Sequence, residues 1–395
     1  MVQGQRLRGG GAVREVIPLA VPNLSGNEGK YLRECIETNF VSSAGPFVEK
    51  FEEMVARAAG TACAVAVSSG TTGLHLALHS LGVKAGDLVV LPSFTFIASA
   101  NAIAHCGAAP WVLDIDPAGW TLDPRLLEKE LAGRTRRAGE DLVHTPTGRR
   151  VAAVMPVYTL GSPADMQPIL ELARSYGLPV VADAAAALGA SYRKGPLGEL
   201  ADLTVFSFNG NKTITAGGGG MIAGTDEKLL RQVRHLSTQA RPGREYHHDQ
   251  VGFNYRLTNL QAAVGCAQME RLEELVRRKR QIQAAYESAF AGLPGIGLFP
   301  KPPWGESACW LAGITVEDPG LPPVKNICER LRDKGIQTRT FWKPVHLQPP
   351  YRDAPRSGQP VSEKIWDKVL TLPCSTSLTA EQQGCVIETV SGLLR

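Results

Sequence analysis

No stretch of this 395-residue chain approaches the roughly 18 consecutive apolar residues of a membrane span. The segment Met1 to Glu15 holds arginine and glycine but lacks the apolar core that a signal peptide needs. The expectation is a soluble, cytoplasmic protein with no membrane partner. Long blocks of one charge are missing too. With 42 basic and 38 acidic residues the net charge is only +4, and no run is long enough to serve as a nucleic-acid tail. The densest basic run, Arg277 to Arg280, falls in a helical pattern and reads as a solvated helix face. Eight cysteines are scattered with no two at metal-ligand or redox-pair spacing, so free thiols are the simplest reading. The adjacent His247 and His248 lack a helical histidine partner and read as a surface loop. No metal site is expected.

What is present is apolar residues, at 44% of the chain, enough for two domains of ordinary size. Ser25 and Glu28 have capping-box spacing before a helix predicted near Lys30–Thr38. A second helical pattern carries Val48, Phe51, Met54, Val55 and Ala58. Short apolar runs then alternate with helical segments: Cys63–Val67, Leu88–Leu91, Trp111–Leu113, Ala152–Val157, Pro179–Ala182, Leu203–Phe206 and Met221–Ala223. Runs without polar alternation fit strands buried on both faces, with helical crossovers between them, so the fold class is α/β with a mostly parallel sheet. Arg134–Arg150 carries five arginines and reads as an inserted surface hairpin or loop. A long helical pattern, with a bend, runs from Thr258 toward Phe290. The expected organisation is a flexible tail over 1–15, a large domain over 16–275 and a smaller C-terminal α/β domain over 276–395. The N-terminal helices are left free to pack on the smaller part.

Four segments could carry chemistry. Lys212 ends Phe206–Lys212 just before Gly217–Gly220, where bare backbone lets a cofactor approach. Such a lysine can form an imine with an aldehyde cofactor and then move protons. Asp183 ends the run Val180–Asp183, at the strand edge where α/β proteins bind ligands, and can pair with a protonated pyridine nitrogen. Ser68–Gly73 joins a strand to a helix start and offers hydroxyls and amides to a phosphate. Phe96 follows another strand and can stack on a flat ring. Each has a plainer reading alone: a surface loop, an N-cap for Ala184–Leu188, an ordinary helix cap, a core aromatic. Their order along the chain, each after a strand, outweighs those readings.

On these residues the chain resembles the DegT/DnrJ/EryC1/StrS sugar aminotransferases, from about Ile17 to the C-terminus. The most specific segments are Ser207–Lys212 (SFNGNK), Gly252–Ala262 (GFNYRLTNLQA) and Phe341–His346 (FWKPVH). Val21–Asn27, the arginine-rich insert and Trp342–Gln348 look closest to the group that aminates UDP-4-keto-6-deoxy-N-acetylglucosamine. The resemblance implies a fold-type-I, aspartate-aminotransferase-like architecture with a mostly parallel seven-stranded sheet, and pyridoxal 5'-phosphate as cofactor. It implies that Lys212 is the Schiff-base lysine and Asp183 the pyridine partner. Gly70, Thr71, Thr72 and Ser207 would hold the phosphate, and Phe96 would stack on the ring. Asn254 would reach the cofactor phosphate of a neighbouring subunit, which implies a homodimer with shared active sites. Arg256, Lys343 and His346 are the implied contacts to nucleotide-sugar or donor carboxylate, with L-glutamate the implied donor. Three positions depart from the family pattern. Ala186 replaces a side chain that commonly hydrogen-bonds near the cofactor's phenolic oxygen, Ala182 stands where glutamate is frequent, and Tyr158 where many members have histidine. Transamination with altered tuning is the expectation. The alternatives are amination of a GDP-linked 4-keto sugar, as in perosamine synthesis, or a non-catalytic regulator on the same fold.

Overall fold

The structure, a computed structural model, describes residues 16–394; the predicted flexible tail over 1–15 lies outside the described residues. Seven strands build the central sheet: β1 (Cys63–Val67), β2 (Leu88–Pro92), β3 (Ala109–Leu113), β4 (Arg149–Val154), β5 (Val181–Asp183), β6 (Leu203–Ser207) and β7 (Gly220–Gly224). Their spatial order is β1-β7-β6-β5-β4-β2-β3, with parallel bridges Val154–Val180 and Val157–Asp183 carrying the sheet from β4 to β5. All pairings are parallel except those of β7, which runs antiparallel to both β1 and β6. The strands match the seven apolar runs, because helices cover both faces and leave no solvent side to impose alternation.

The arginine-rich insert forms a hairpin, Thr135–Ala138 with Asp141–His144, whose second strand pairs antiparallel with the start of β4. The C-terminal part has its own antiparallel sheet, β8 (Ile296–Leu298), β9 (Ala312–Val316), β10 (Arg339–Thr340) and β11 (Val369–Leu372), in the order β8-β9-β11-β10. Two apolar clusters centre on Phe51, Trp111 and Phe206 and on Leu76, Val89 and Val205, and a third packs around Tyr286, Ile314 and Leu370. The long helical pattern resolves into Asn259–Met269 and Leu272–Phe290. The second helix leaves Leu275 in the first cluster and sends Ile282, Tyr286 and Phe290 into the third.

Three expectations need correction. Ser25 and Glu28 do not form a capping box. The helix Glu28–Glu37 has Asn27 at its N-cap with no side-chain bond, and buried Glu28 instead accepts from Gly26 N and Gln268 Nε2. The N-terminal helices pack on the large sheet's side, where Cys35 and Phe47 join the first cluster beside Cys266. Nor is Arg277–Arg280 a solvated face. Lys279 is buried and donates to the carbonyls of Trp310 (3.0 Å) and Cys374 (2.7 Å), while Arg280 donates to Ser307 O and pairs with Glu306. The run looked solvent-facing because charge was visible in the sequence and the carbonyls that accept from it were not.

Candidate active site

One edge of the sheet gathers the chemistry. β1, β5 and β6 end there, and antiparallel β7 begins there, with Gly220 registered against both Val67 and Ser207. A cavity of about 370 Å³ opens at this edge and is lined by Gly70, Thr71, Phe96, Asp183, Ser207 and Lys212, among others. Six residues singled out from the sequence thus share one space.

The anion cradle is built locally. Ser69 is extended at the N-cap of the helix Gly70–Ser80; its Oγ accepts from Thr72 N at 3.1 Å, and Thr72 Oγ1 accepts from Ser69 N at 3.0 Å. That reciprocal box fixes the first turn and leaves the Gly70 and Thr71 amides at the positive end of the helix. A Cβ at Gly70 would lie 2.9 Å from Ser207 Cβ, so only glycine lets these two segments meet. Gly219, at φ +98°, sits under the same edge, where a Cβ would come 2.6 Å from Leu257. Thr72 does not line the cavity, because its hydroxyl is spent on the cap.

Asp183 is 6% exposed and does not cap a helix; Ala184–Leu188 is a turn. Its Oδ2 accepts from the Ser99 hydroxyl at 2.6 Å and its Oδ1 from Ala185 N at 3.1 Å. Burial pushes its carboxyl up, opposed by those two donors and by the Lys212 charge. Lys212 is fixed at its backbone by a turn in which its N–H donates to Asn209 O. Burial lowers its ammonium from the ordinary 10.5 to about 8, Asp183 working against the shift and Arg339 with it. Its Nζ lies 4.0 Å from the centre of the Trp310 ring.

The remaining candidates do not line the cavity of one chain. His346 is buried 3.0 Å from Glu363 Oε1 through Nε2 and 2.6 Å from Ser93 Oγ through Nδ1. Burial lowers its pKa, and with both nitrogens engaged it has a structural place. Lys343 is exposed away from the cavity. Asn254 and Arg256 lie on an exposed segment, joined by Arg256 Nε to Asn254 Oδ1 at 3.3 Å. Trp310, Arg339 and Trp342 come into the cavity instead. The last belongs to the FWKPVH segment already singled out; the other two carried no local signal. Arg339 sits on a two-residue strand, and no acceptor among the described residues takes a hydrogen bond from its guanidinium. Ala186 lines the cavity with a methyl group only, while Tyr158 is buried there with its hydroxyl unpartnered. A second cavity of about 330 Å³, lined by Leu160, Glu287, Phe299, Cys309 and Leu311, lies across the segment that carries Trp310. Among the described residues no histidine, cysteine or acidic cluster could hold a metal, and no helix is long and apolar enough to cross a membrane.

A lysine of lowered basicity, a buried carboxylate and free helix-start amides around one cavity are the groups that an aldehyde cofactor bearing a phosphate requires of an enzyme. The DegT/DnrJ/EryC1/StrS aminotransferase family matches over residues 22–391, and the chain belongs to it as a pyridoxal-phosphate-dependent nucleotide-sugar aminotransferase. EpsN from Bacillus subtilis, whose name assigns it provisionally as a pyridoxal phosphate-dependent aminotransferase, is 39% identical over 94% of both chains. The GDP-perosamine synthase of Caulobacter vibrioides is 38% identical over 96% of this chain and 98% of its own. The crystal structure of Streptomyces venezuelae DesV superposes with a TM-score of 0.83 at 33% identity, covering 95% of this chain and 98% of that one.

Proposed function

We propose that the protein transfers the amino group of L-glutamate to the C4 ketone of a nucleoside-diphosphate-linked 4-keto-6-deoxy sugar, UDP-4-keto-6-deoxy-N-acetylglucosamine being the first candidate. The observation that carries this reading is the meeting of Lys212, Asp183 and the Gly70–Thr71 amides in one cavity. These residues fit the cofactor, since a buried carboxylate whose charge is disfavoured calls for a cationic partner such as a protonated ring nitrogen. The Gly70 and Thr71 amides and the Ser207 hydroxyl would hold its phosphate, and Phe96 would cover its ring.

Pyridoxal phosphate, when bound, supplies the electron sink that makes the donor's α-proton removable. Lys212 would join the aldehyde at rest and, once displaced by the donor amine, take the α-proton and deliver it to the adjoining carbon, reversing both moves for the keto-sugar. Arg339 would meet an anionic group of donor or nucleotide-sugar, which is the service first expected of Lys343 and His346.

The site is completed by a second copy in this reading. Asn254 and Arg256 face outward from one chain, and Tyr246 and Val251, on the same stretch, are 92% and 84% exposed. A homodimer that buries these side chains would bring Asn254 to the partner's phosphate cradle. The chain divides near residue 275, within the helix Leu272–Phe290, into a larger cofactor-binding part and a smaller C-terminal part.

A second reading is favoured by a specific observation. GDP-perosamine synthases from three bacteria are 33–38% identical to this chain, which supports GDP-4-keto-6-deoxymannose as the acceptor. Incubating the purified protein with cofactor, L-glutamate and each keto-sugar, and following amino-sugar and 2-oxoglutarate, separates the two. Equal failure with both sugars would sink the 4-keto-sugar assignment.

A further inference from the structure

Among the described residues no carboxylate lies within ion-pair distance of the Lys212 ammonium and no acceptor takes a hydrogen bond from its Nζ, so Asp183 acts on it only through space. Asp183, the carboxylate of the same cavity, is already engaged by Ser99 and Ala185. What the amine does meet is the face of Trp310, at 4.0 Å from the ring centre. Resting on the reading that Lys212 is the cofactor lysine, we propose that Trp310 is its positioning residue, holding the ε-ammonium on the indole face whenever that amine is free.

Trp310 is built for a fixed position. It is 3% exposed, and it is held from three directions. Its indole Nε1 donates to the Asn211 carbonyl at 2.7 Å, in the residue next to the lysine itself. Its backbone N–H donates to Leu160 O at 3.2 Å, and its carbonyl accepts from the buried Lys279 ammonium at 3.0 Å. The preceding Cys309 adopts φ +52° and Leu160 adopts φ +59°, a left-handed conformation that such side chains rarely take. Two strained residues bracketing one tryptophan fit a side chain whose direction is set by its surroundings. Trp342, with its ring centre 5.9 Å away, extends the aromatic wall toward Phe96.

The strength of the contact suits the task. A proton shuttle must leave its resting place in every half-reaction, and a close carboxylate would hold the ammonium too firmly. An aromatic face attracts a cation weakly, enough to aim the amine and little enough to release it. The charged and titratable groups that share the cavity with Lys212 are Asp183 from β5, Arg339 from β10 and Tyr158 beyond β4. Asp183 favours the ammonium, while burial and Arg339 disfavour it; the indole face at 4.0 Å would add to the favourable side.

The test compares the full-length protein, stripped of cofactor, with Trp310→Leu and Trp310→Phe. Trace acetylation by acetic anhydride across a pH series, read on the Lys212 peptide by mass spectrometry, gives the midpoint at which the amine becomes neutral. Trp310→Leu should lower that midpoint by about one pH unit, since the contact removed stabilises the charged form. Trp310→Phe, which keeps a weaker face, should fall between. A folded Leu variant with an unchanged midpoint would overturn the proposal. A raised midpoint would overturn it too, because the indole would then be only a wall that keeps water out. Should the Leu variant not fold, the Phe variant decides alone, on a lowered or unlowered midpoint. This readout needs no cofactor, so a wild-type protein that took up no pyridoxal phosphate would refute the functional reading and leave the lysine measurement standing.

Discussion

At the scale of single residues, amino transfer through Lys212 needs an amine available near neutral pH. Burial lowers it to about 8, and the sign of the consequence is direct. The amine attacks an aldehyde only when neutral, so uptake of pyridoxal phosphate by the stripped protein should rise about tenfold per pH unit below 8 and level off above it. Stopped-flow absorbance measures that rate; a rise continuing to pH 10 would show an unperturbed lysine. Lys212, Asp183, Gly70, Thr71, Phe96 and Ser207 were legible in the sequence because each follows a strand or borders glycines, which are local signals. Trp310 and Arg339 were not, since what gives them meaning is a lysine or a cavity about 100 residues away. Thr72 and His346 misled for the opposite reason. Their side chains are chemically apt, and only the structure shows them consumed by a helix cap and by Ser93 and Glu363. Ala186 brings only a methyl group to the cavity, and the buried Tyr158 keeps an unpartnered hydroxyl.

At the scale of elements, the strands were readable because burial on both faces writes itself as uninterrupted apolar runs. The helix Leu272–Phe290 was readable as a helix but not in its packing. Its Lys279 ties the Trp310 segment to Cys374, joining the segment before β9 to the segment after β11 across the helix. Lys279→Met keeps the length and apolar bulk while leaving the buried Cys374 carbonyl without a donor and the Trp310 carbonyl with only the Cys374 thiol at 3.8 Å. It should cost about 2–3 kcal/mol, read as a lower midpoint in urea unfolding. A loss below about 0.5 kcal/mol would mean that the ammonium is a bystander, as surface lysines are.

At the scale of the whole molecule, the sheet brings residues from six separate stretches to one edge, and Trp310, Arg339 and Trp342 from the C-terminal part line the same cavity. Neither part alone encloses the cavity. Asn254 faces outward with Tyr246 and Val251 exposed beside it, and the proposed second copy would cover them. The class of enzyme follows from the family and the cavity together, and the central claim is that this cavity performs amino transfer through Lys212. The most direct measurement is an absorbance spectrum of the purified protein with pyridoxal phosphate, before and after L-glutamate, beside the Lys212→Ala variant. The wild type should show a long-wavelength band that glutamate bleaches in favour of a shorter-wavelength band, and the variant no such band of protein origin. A wild-type protein that binds no cofactor, or a variant with an identical spectrum, would contradict it.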